Sequence, residues 1–184
     1  GKCLLIKRGK EKILAIGDLH LGYEESLNIS GVFAARKMFE EMINDFKKIF
    51  RTAGKIDKIV LLGDVKHNFS GILKQEWNDV LELFDFLLKH SKEIIITKGN
   101  HDNYVKNIAE KRNVKVKDFY INREYCFMHG NKDYGKESRI YDKKIKYWIM
   151  GHAHPAIKLQ EGVKIEKYKC FLIGNYKKKK IIIL

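Results

Sequence analysis

The chain has 184 residues, 45% of them hydrophobic, and 37 Lys and Arg against 23 Asp and Glu give it a net charge of +14. That length supports a single domain over residues 1–184 with a substantial core, and one proline, no repeat and no Ser/Gly-rich linker give no reason to divide it. No apolar stretch approaches the roughly 20 residues of a membrane span and the start lacks the apolar region of a signal peptide, so a cytoplasmic protein that stays out of membranes is expected.

Cys3 to Lys7 and Ile13 to Ile16 read as strands joined by the turn Arg8-Gly9-Lys10, and the second runs into Gly17-Asp18-Leu19-His20. Ala34 to Thr52 reads as a helix, because Met38, Phe39, Met42, Ile43, Phe46, Ile49 and Phe50 recur at helical spacing; the stripe is core packing. Ile59 to Leu62 is a strand ending in Gly63-Asp64. Gln75 to Lys89 repeats the helical pattern, and Glu93 to Thr97 is a strand leading to Gly99-Asn100-His101-Asp102 and a short helix, Tyr104 to Arg112. Cys126 to Met128 leads into His129-Gly130, Gly135 to Lys146 reads as a helix, and Tyr147 to Met150 leads into Gly151-His152-Ala153-His154. From Val163 onward the signal is strand, with Lys177 to Lys180 as a solvated hairpin turn or guarded edge. Cys3, Cys126 and Cys170 form no C-x-x-C, which favours reduced, buried thiols. The first residue is Gly1 rather than methionine, which points to a trimmed start or a tag remnant.

Five of the seven histidines fall in those five strand-end blocks, each with a glycine beside a nitrogen or oxygen ligand. Singly the blocks say little, since strand-end carboxylates cap helices and turns and a lone His129 fits a core histidine. His152 and His154 say more, because residues two apart in extended chain point to the same side. Together the five describe a metal site at the ends of a sheet. None contains a cysteine, so borderline to hard divalent ions suit it better than thiolate chemistry.

The order and spacing of the blocks resemble the calcineurin-like metallophosphoesterases, whose motifs are D-x-H, GD, GNH-[DE], a lone His and GHxH. The run Asp18-Leu19-His20-Leu21-Gly22-Tyr23-Glu24 is similar to the opening of the small archaeal and bacterial branch that includes the DNA-ligase-associated phosphoesterases. It also resembles the start of the double-strand-break repair nucleases, whose capping domain has no room here. The resemblance implies an α/β fold, a four-layer αββα sandwich of two mixed sheets flanked by helices. Strands alternating with helices before a strand-rich end suggest the same layering. It also implies two divalent ions, manganese first and iron, zinc or nickel as alternatives. Asp18, His20 and His154 would hold one, Asn100, His129 and His152 the other, and Asp64 would bridge them. A hydroxide held between the ions would attack phosphorus in line. His101 would face the scissile phosphate, with Asp102 either orienting that imidazole or capping the next helix.

Substrate-facing candidates follow the motifs: Lys66, His67 and Asn68 after Asp64, and Asn131, Lys132 and Tyr134 after His129, while Lys98 suits a surface role equally well. The leading expectation is hydrolysis of phosphodiesters, with nucleic acid (DNA or RNA) or nucleotides as substrate. The alternatives are a phosphomonoesterase or pyrophosphatase on a small phosphoester and a non-catalytic scaffold on the same fold. Neither GxxxxGK[ST] nor GxGxxG occurs, which excludes a Walker-type NTPase and a Rossmann dehydrogenase. The positive charge fits a nucleic-acid surface or a heat-adapted one equally. Nothing in the sequence fixes the oligomeric state.

Overall fold

The computed structural model describes residues 3–184, so Gly1 lies outside the described residues. β1 (Cys3–Arg8) and β2 (Glu11–Ile16) form a hairpin, to which β3 (Ile56–Leu61), β4 (Ser91–Thr97) and β5 (Lys115–Lys117) add in parallel. The second sheet holds β6 (Phe119–Asn122), β7 (Tyr125–Met128), β8 (Tyr147–Met150), β11 (Leu172–Tyr176) and β12 (Lys179–Ile183), with β9 (Ala156–Glu161) and β10 (Lys164–Lys169) as a separate ribbon between β8 and β11 in the chain. Its order is β11-β12-β8-β7-β6, parallel where β7, β8 and β12 meet and antiparallel at both edges. Both sheets are therefore mixed.

The central strands are apolar on both faces because both are covered. Ile13 and Ala15 of β2 meet Val60, Leu62, Phe127 and Ile149 in the layer between the sheets. Leu14 and Ile16 face the other way, onto α2 (Met38–Ala53), α3 (Lys74–His90) and α4 (Val105–Glu110) through Phe46, Phe50, Leu83, Phe84 and Ile108. Each such fully buried Leu, Ile or Phe contributes about 1.5–3 kcal/mol. The molecule thus has the expected architecture of two mixed sheets flanked by helices.

The elements differ from the sequence reading in several places, and the strands β5 and β6 are unforeseen in it. The helix expected from Ala34 starts at Met38, since Asn28 holds Ala34 in a loop by exchanging hydrogen bonds with its N–H and carbonyl, and the Glu24 carboxylate accepts from the N–H groups of Lys37 and Met38. A short helix unforeseen in the sequence, α1 (Tyr23–Ile29), buries none of its residues and so carries no apolar stripe. Gly135 to Lys146 contains only a 3₁₀ turn, Arg139–Tyr141, whose Ile140 joins Cys126, Met128, Ile145 and Trp148 on the outer face of the second sheet. Lastly, strand structure resumes at Ala156 rather than Val163.

The lysine run is a hairpin turn at Lys177 and Lys178, both in the left-handed region, but Lys179 is buried and donates to the carbonyls of Asp142 and Ile145. One lysine of the run therefore fastens the segment covering the second sheet. All three cysteines are free; Cys126 is buried, which pushes its thiol up to about 12, and Cys3 and Cys170 are half-buried.

Candidate metal centre

β2, β3 and β4 are parallel in one sheet, β7 and β8 in the other, so all five motif loops leave carboxyl ends and meet in the crevice where such sheets gather ligands. The loops are knitted across the crevice. His20 N–H donates to Asp64 O at 2.9 Å, Leu21 N–H to Val65 O at 2.9 Å, and Gly151 N–H to His129 O at 3.1 Å. Between the sheets, Asp18 accepts from His152 N–H at 3.0 Å and His129 Nδ1 lies 2.7 Å from Leu62 O.

Two donor clusters that include a carboxylate result. Ligand atoms of Asp18, His20 and His154 lie within 4.8 Å of one another, as do those of Asp64, His129 and His152. Nε2 of His20 and of His154 are 3.5 Å apart. In the second cluster His129 Nε2 is 3.0 Å from Asn100 Oδ1 and 3.1 Å from His152 Nδ1. Asp64 Oδ2 sits between the clusters, 3.3 Å from His129 Nε2 and 3.8 Å from His20 Nε2.

The backbone here is strained in a way that ordinary packing would not require. Ten non-glycine residues among those described have positive φ, and five are Asp18, His20, Asp64, His152 and His154. Each costs on the order of 1–2 kcal/mol, and such strain collects at functional sites. Gly99 explains its own identity: a Cβ there would collide with Asp64 Oδ1 and N, so only glycine lets β4 come this close. Gly63, at φ +86°, is similarly enclosed, since a Cβ would lie 2.7 Å from Gly99 N, His129 Nδ1 and Thr97 O.

Burial pushes the His20 imidazole down to about 4, outweighing the pull of Asp64. Burial would raise Asp64, but His129 and the His101 N–H together hold its carboxyl below the usual range. At neutral pH His20 is therefore a neutral imidazole and Asp64 a carboxylate, the states in which these side chains ligate a cation. Burial pulls the His129 imidazole down, but the Asp64 carboxylate beside it holds it above its usual value, a proton that a cation would displace. A buried carboxylate ringed by imidazoles and an amide oxygen is a donor set that divalent ions of borderline hardness fit.

His101 stands beside these two clusters, in a third group with His20 and His67 whose ring nitrogens also lie within 4.8 Å of one another. Its N–H donates to Asp64 Oδ1 at 2.9 Å, its Nε2 lies 4.0 Å from Asp64 Oδ2, and its Nδ1 is hydrogen-bonded to the carbonyl of His67. That carbonyl orients the imidazole, the task one sequence reading gave to Asp102. Asp102 is buried and accepts from Gly99 N–H and Val65 N–H at 2.9 Å, tying the β4 loop to the β3 loop. His67 also reaches His20 with its own ring, Nδ1 to Nδ1 at 3.4 Å.

Lys66 corrects an expectation outright. Its side chain is fully buried, and its ammonium donates to the carbonyls of Asn68 and Gly71, so it fastens its own loop and cannot face a substrate. The Asn68 side chain is similarly engaged, accepting from Ser70 N–H and hydroxyl at 3.1 Å. Asn131 is exposed at the rim, Lys132 and Tyr134 are bonded to Asp118, and Lys98 is on the surface.

Sequence reasoning missed Glu76. This fully buried carboxylate on α3 accepts from His67 N–H and Asn68 N–H at 2.8 Å and from Leu73 N–H at 3.2 Å. The available signal was its place three residues into α3, where a glutamate reaches back to the N-cap. Glu76→Ala is expected to cost about 3 kcal/mol, the loss of a charged acceptor from buried N–H groups, and to lower Tm by about 6–12 °C. An unchanged Tm by scanning calorimetry would refute this.

The family model for calcineurin-like phosphoesterases, Metallophos, matches residues 11–156. The chain belongs to this family, and it is a metal-dependent hydrolase of phosphoesters. Its fold is similar to that of the nuclease MPE of Pseudomonas putida, at 14% identity and a TM-score of 0.64, over 99% of this chain and 86% of that one. It matches AQ665 of Aquifex aeolicus, a protein of unknown function, at 21% identity and a TM-score of 0.49, over 77% and 78% of the two chains. Vps29 of Entamoeba histolytica matches at 17% identity and a TM-score of 0.43, over 93% and 72%. No curated protein sequence matches the chain. Among the described residues no helix is long and apolar enough to cross a membrane.

Proposed function

We propose that residues 1–184 act as one catalytic domain, a dinuclear phosphodiesterase whose substrates are nucleic acid or nucleotides. The observation that carries the dinuclear reading is Asp64 Oδ2, placed within 4 Å of both a His20 and a His129 nitrogen. Asp18, His20 and His154 would hold one ion and Asn100, His129 and His152 the other, with Asp64 shared. Manganese is the first choice on the carboxylate and amide oxygens, and iron, zinc and nickel, which imidazole suits, are the alternatives. Ions so held supply an acidified water and stabilise charge on the phosphoryl oxygens.

The chain's own residues do the rest. His101, fixed through Nδ1 by the His67 carbonyl, presents Nε2 toward the centre, where it can give a proton to the leaving oxygen. His67 holds His101 by its backbone and His20 by its ring, so it sets both histidines at once. Glu76, Lys66 and Asp102 keep the supporting loops in place.

Two observations favour a nucleic-acid or nucleotide substrate. The similar fold from Pseudomonas putida is a nuclease. In addition, the exposed β9–β10 ribbon, which starts two residues after His154, pairs Lys158 with Lys167 and so puts Lys158, Lys167 and Lys169 on one face. Like charges directly opposite destabilise a ribbon, and a polyanion would relieve them.

With manganese, bis-p-nitrophenyl phosphate should be hydrolysed faster than p-nitrophenyl phosphate; activity on the monoester alone would overturn the diesterase reading. Oligonucleotide binding should weaken steeply with salt, by about 0.9 in log K per log unit for each phosphate neutralised on duplex DNA. Lys158→Ser with Lys167→Ser should reduce that slope by about 2, as read from a fluorescence titration of metal-free protein. An unaltered slope would take the ribbon out of the binding surface.

A further inference from the structure

A cavity of 580 Å³ opens beside Asp18, His20 and His154 and runs beneath the first half of α2. It exists because α2 packs down only along its later turns, where Phe46, Phe50 and Ala53 are buried, while Met38 at its start is 42% exposed. The Glu24 carboxylate holds that start in position by accepting from two of its N–H groups. The inner wall is apolar, formed by Leu19, Phe39, Met42, Phe46 and Ile49. Its size lies in the range of small-molecule sites, and polar groups gather at one end, toward the candidate metal centre.

The charged groups of the lining decide what could enter. Glu24, Glu41, Asp45 and Asp79 line the cavity, and Lys169 is its one lysine among the described residues. Glu24 caps α2, Asp79 is paired with Arg36, and Asp45 with Lys48 at 3.0 Å. A second phosphate in this space would meet several carboxylates and apolar carbon against the single cation Lys169, whereas an uncharged group would cover side chains that water now reaches.

We propose that this cavity is a subsite for the non-phosphate arm of the substrate, an uncharged and largely apolar group such as an aryl ring or a nucleobase. The proposal rests on the phosphodiesterase reading of the adjoining centre. It gives two features beside the centre different tasks: Lys158 and Lys167 of the ribbon would serve the phosphate chain, and the cavity, with Lys169 in its wall, takes one organic arm.

The test has a binding arm and a kinetic arm. The chain has four methionines, Met38 and Met42 at the cavity and Met128 and Met150 in the second sheet. With ¹³C-methyl methionine, phenylphosphonate should shift the Met38 and Met42 signals, and methylphosphonate should leave them in place. For p-nitrophenyl diesters with a constant leaving group, the phenyl ester should show a KM about 10-fold or more below that of the methyl ester. The thymidine 5′ ester distinguishes the two kinds of arm, since a KM below that of the phenyl ester would identify a nucleobase. Met42→Trp, which fills the cavity, should bring the phenyl-to-methyl ratio toward one. Equal KM for all three esters, with silent Met38 and Met42 signals, would overturn the subsite and leave the phosphodiesterase intact. Failure to cleave any of the three would overturn both.

Discussion

His101→Asn is expected to keep its metal ions and lose on the order of 10²–10⁴ in turnover, the range that a positioned proton donor supplies. The separation of the two effects follows from geometry. The His101 imidazole is bound through Nδ1 to the His67 carbonyl and stands 4.0 Å from Asp64 Oδ2; it groups with His20 and His67 but belongs to neither cluster that includes a carboxylate. Its backbone N–H, which supports Asp64 at 2.9 Å, is untouched by the substitution. The loss should be largest for alkyl leaving groups and small for p-nitrophenolate, which leaves with little protonation. An equal loss across leaving groups would assign His101 to charge stabilisation instead, and a loss of metal would make it a ligand.

Asp64→Ala should be the more damaging substitution. It removes the one carboxylate among the described residues within 4 Å of both a His20 and a His129 nitrogen and leaves the half-buried His101 N–H without its acceptor. Turnover should fall by on the order of 10³ or more, since ions at such centres supply several kcal/mol of transition-state stabilisation. The loss should persist in excess metal. Steady-state kinetics across a manganese titration read this directly, and full recovery at high metal would reduce Asp64 to an affinity contact.

How much of this was legible in the sequence depends on what each residue answers to. Asp18, His20, Asp64, Asn100, His129, His152 and His154 lie at strand ends, where a short continuous apolar run closes beside a glycine, so the sequence marked each of them as a strand-end residue. Parallel pairing of β2, β3 and β4, and of β7 and β8, then brought them together. The helical stripes of α2 and α3 were visible for a similar reason, because a buried face imposes its period on the chain.

The residues that escaped are set by tertiary contacts without a period. Lys66 looks like a phosphate ligand until its loop folds back and offers it two carbonyls. Asp102 is adjacent to His101, yet its carboxylate is taken by backbone N–H groups of two loops. Gly135 to Lys146 has helical spacing in places, but an irregular segment pinned by Lys179 already covers the second sheet. Glu76 serves N–H groups of a loop before its own helix, a demand that appears only once that loop lies against α3.

The central claim is that Asp64 joins two ion sites, and metal stoichiometry tests it most directly. Apo protein reconstituted with manganese, freed of excess ion and assayed by elemental analysis, should hold two ions per chain. Asp64→Ala treated in the same way should hold fewer than two. One tightly bound ion in the unsubstituted protein, with no second site at higher manganese, would contradict the account.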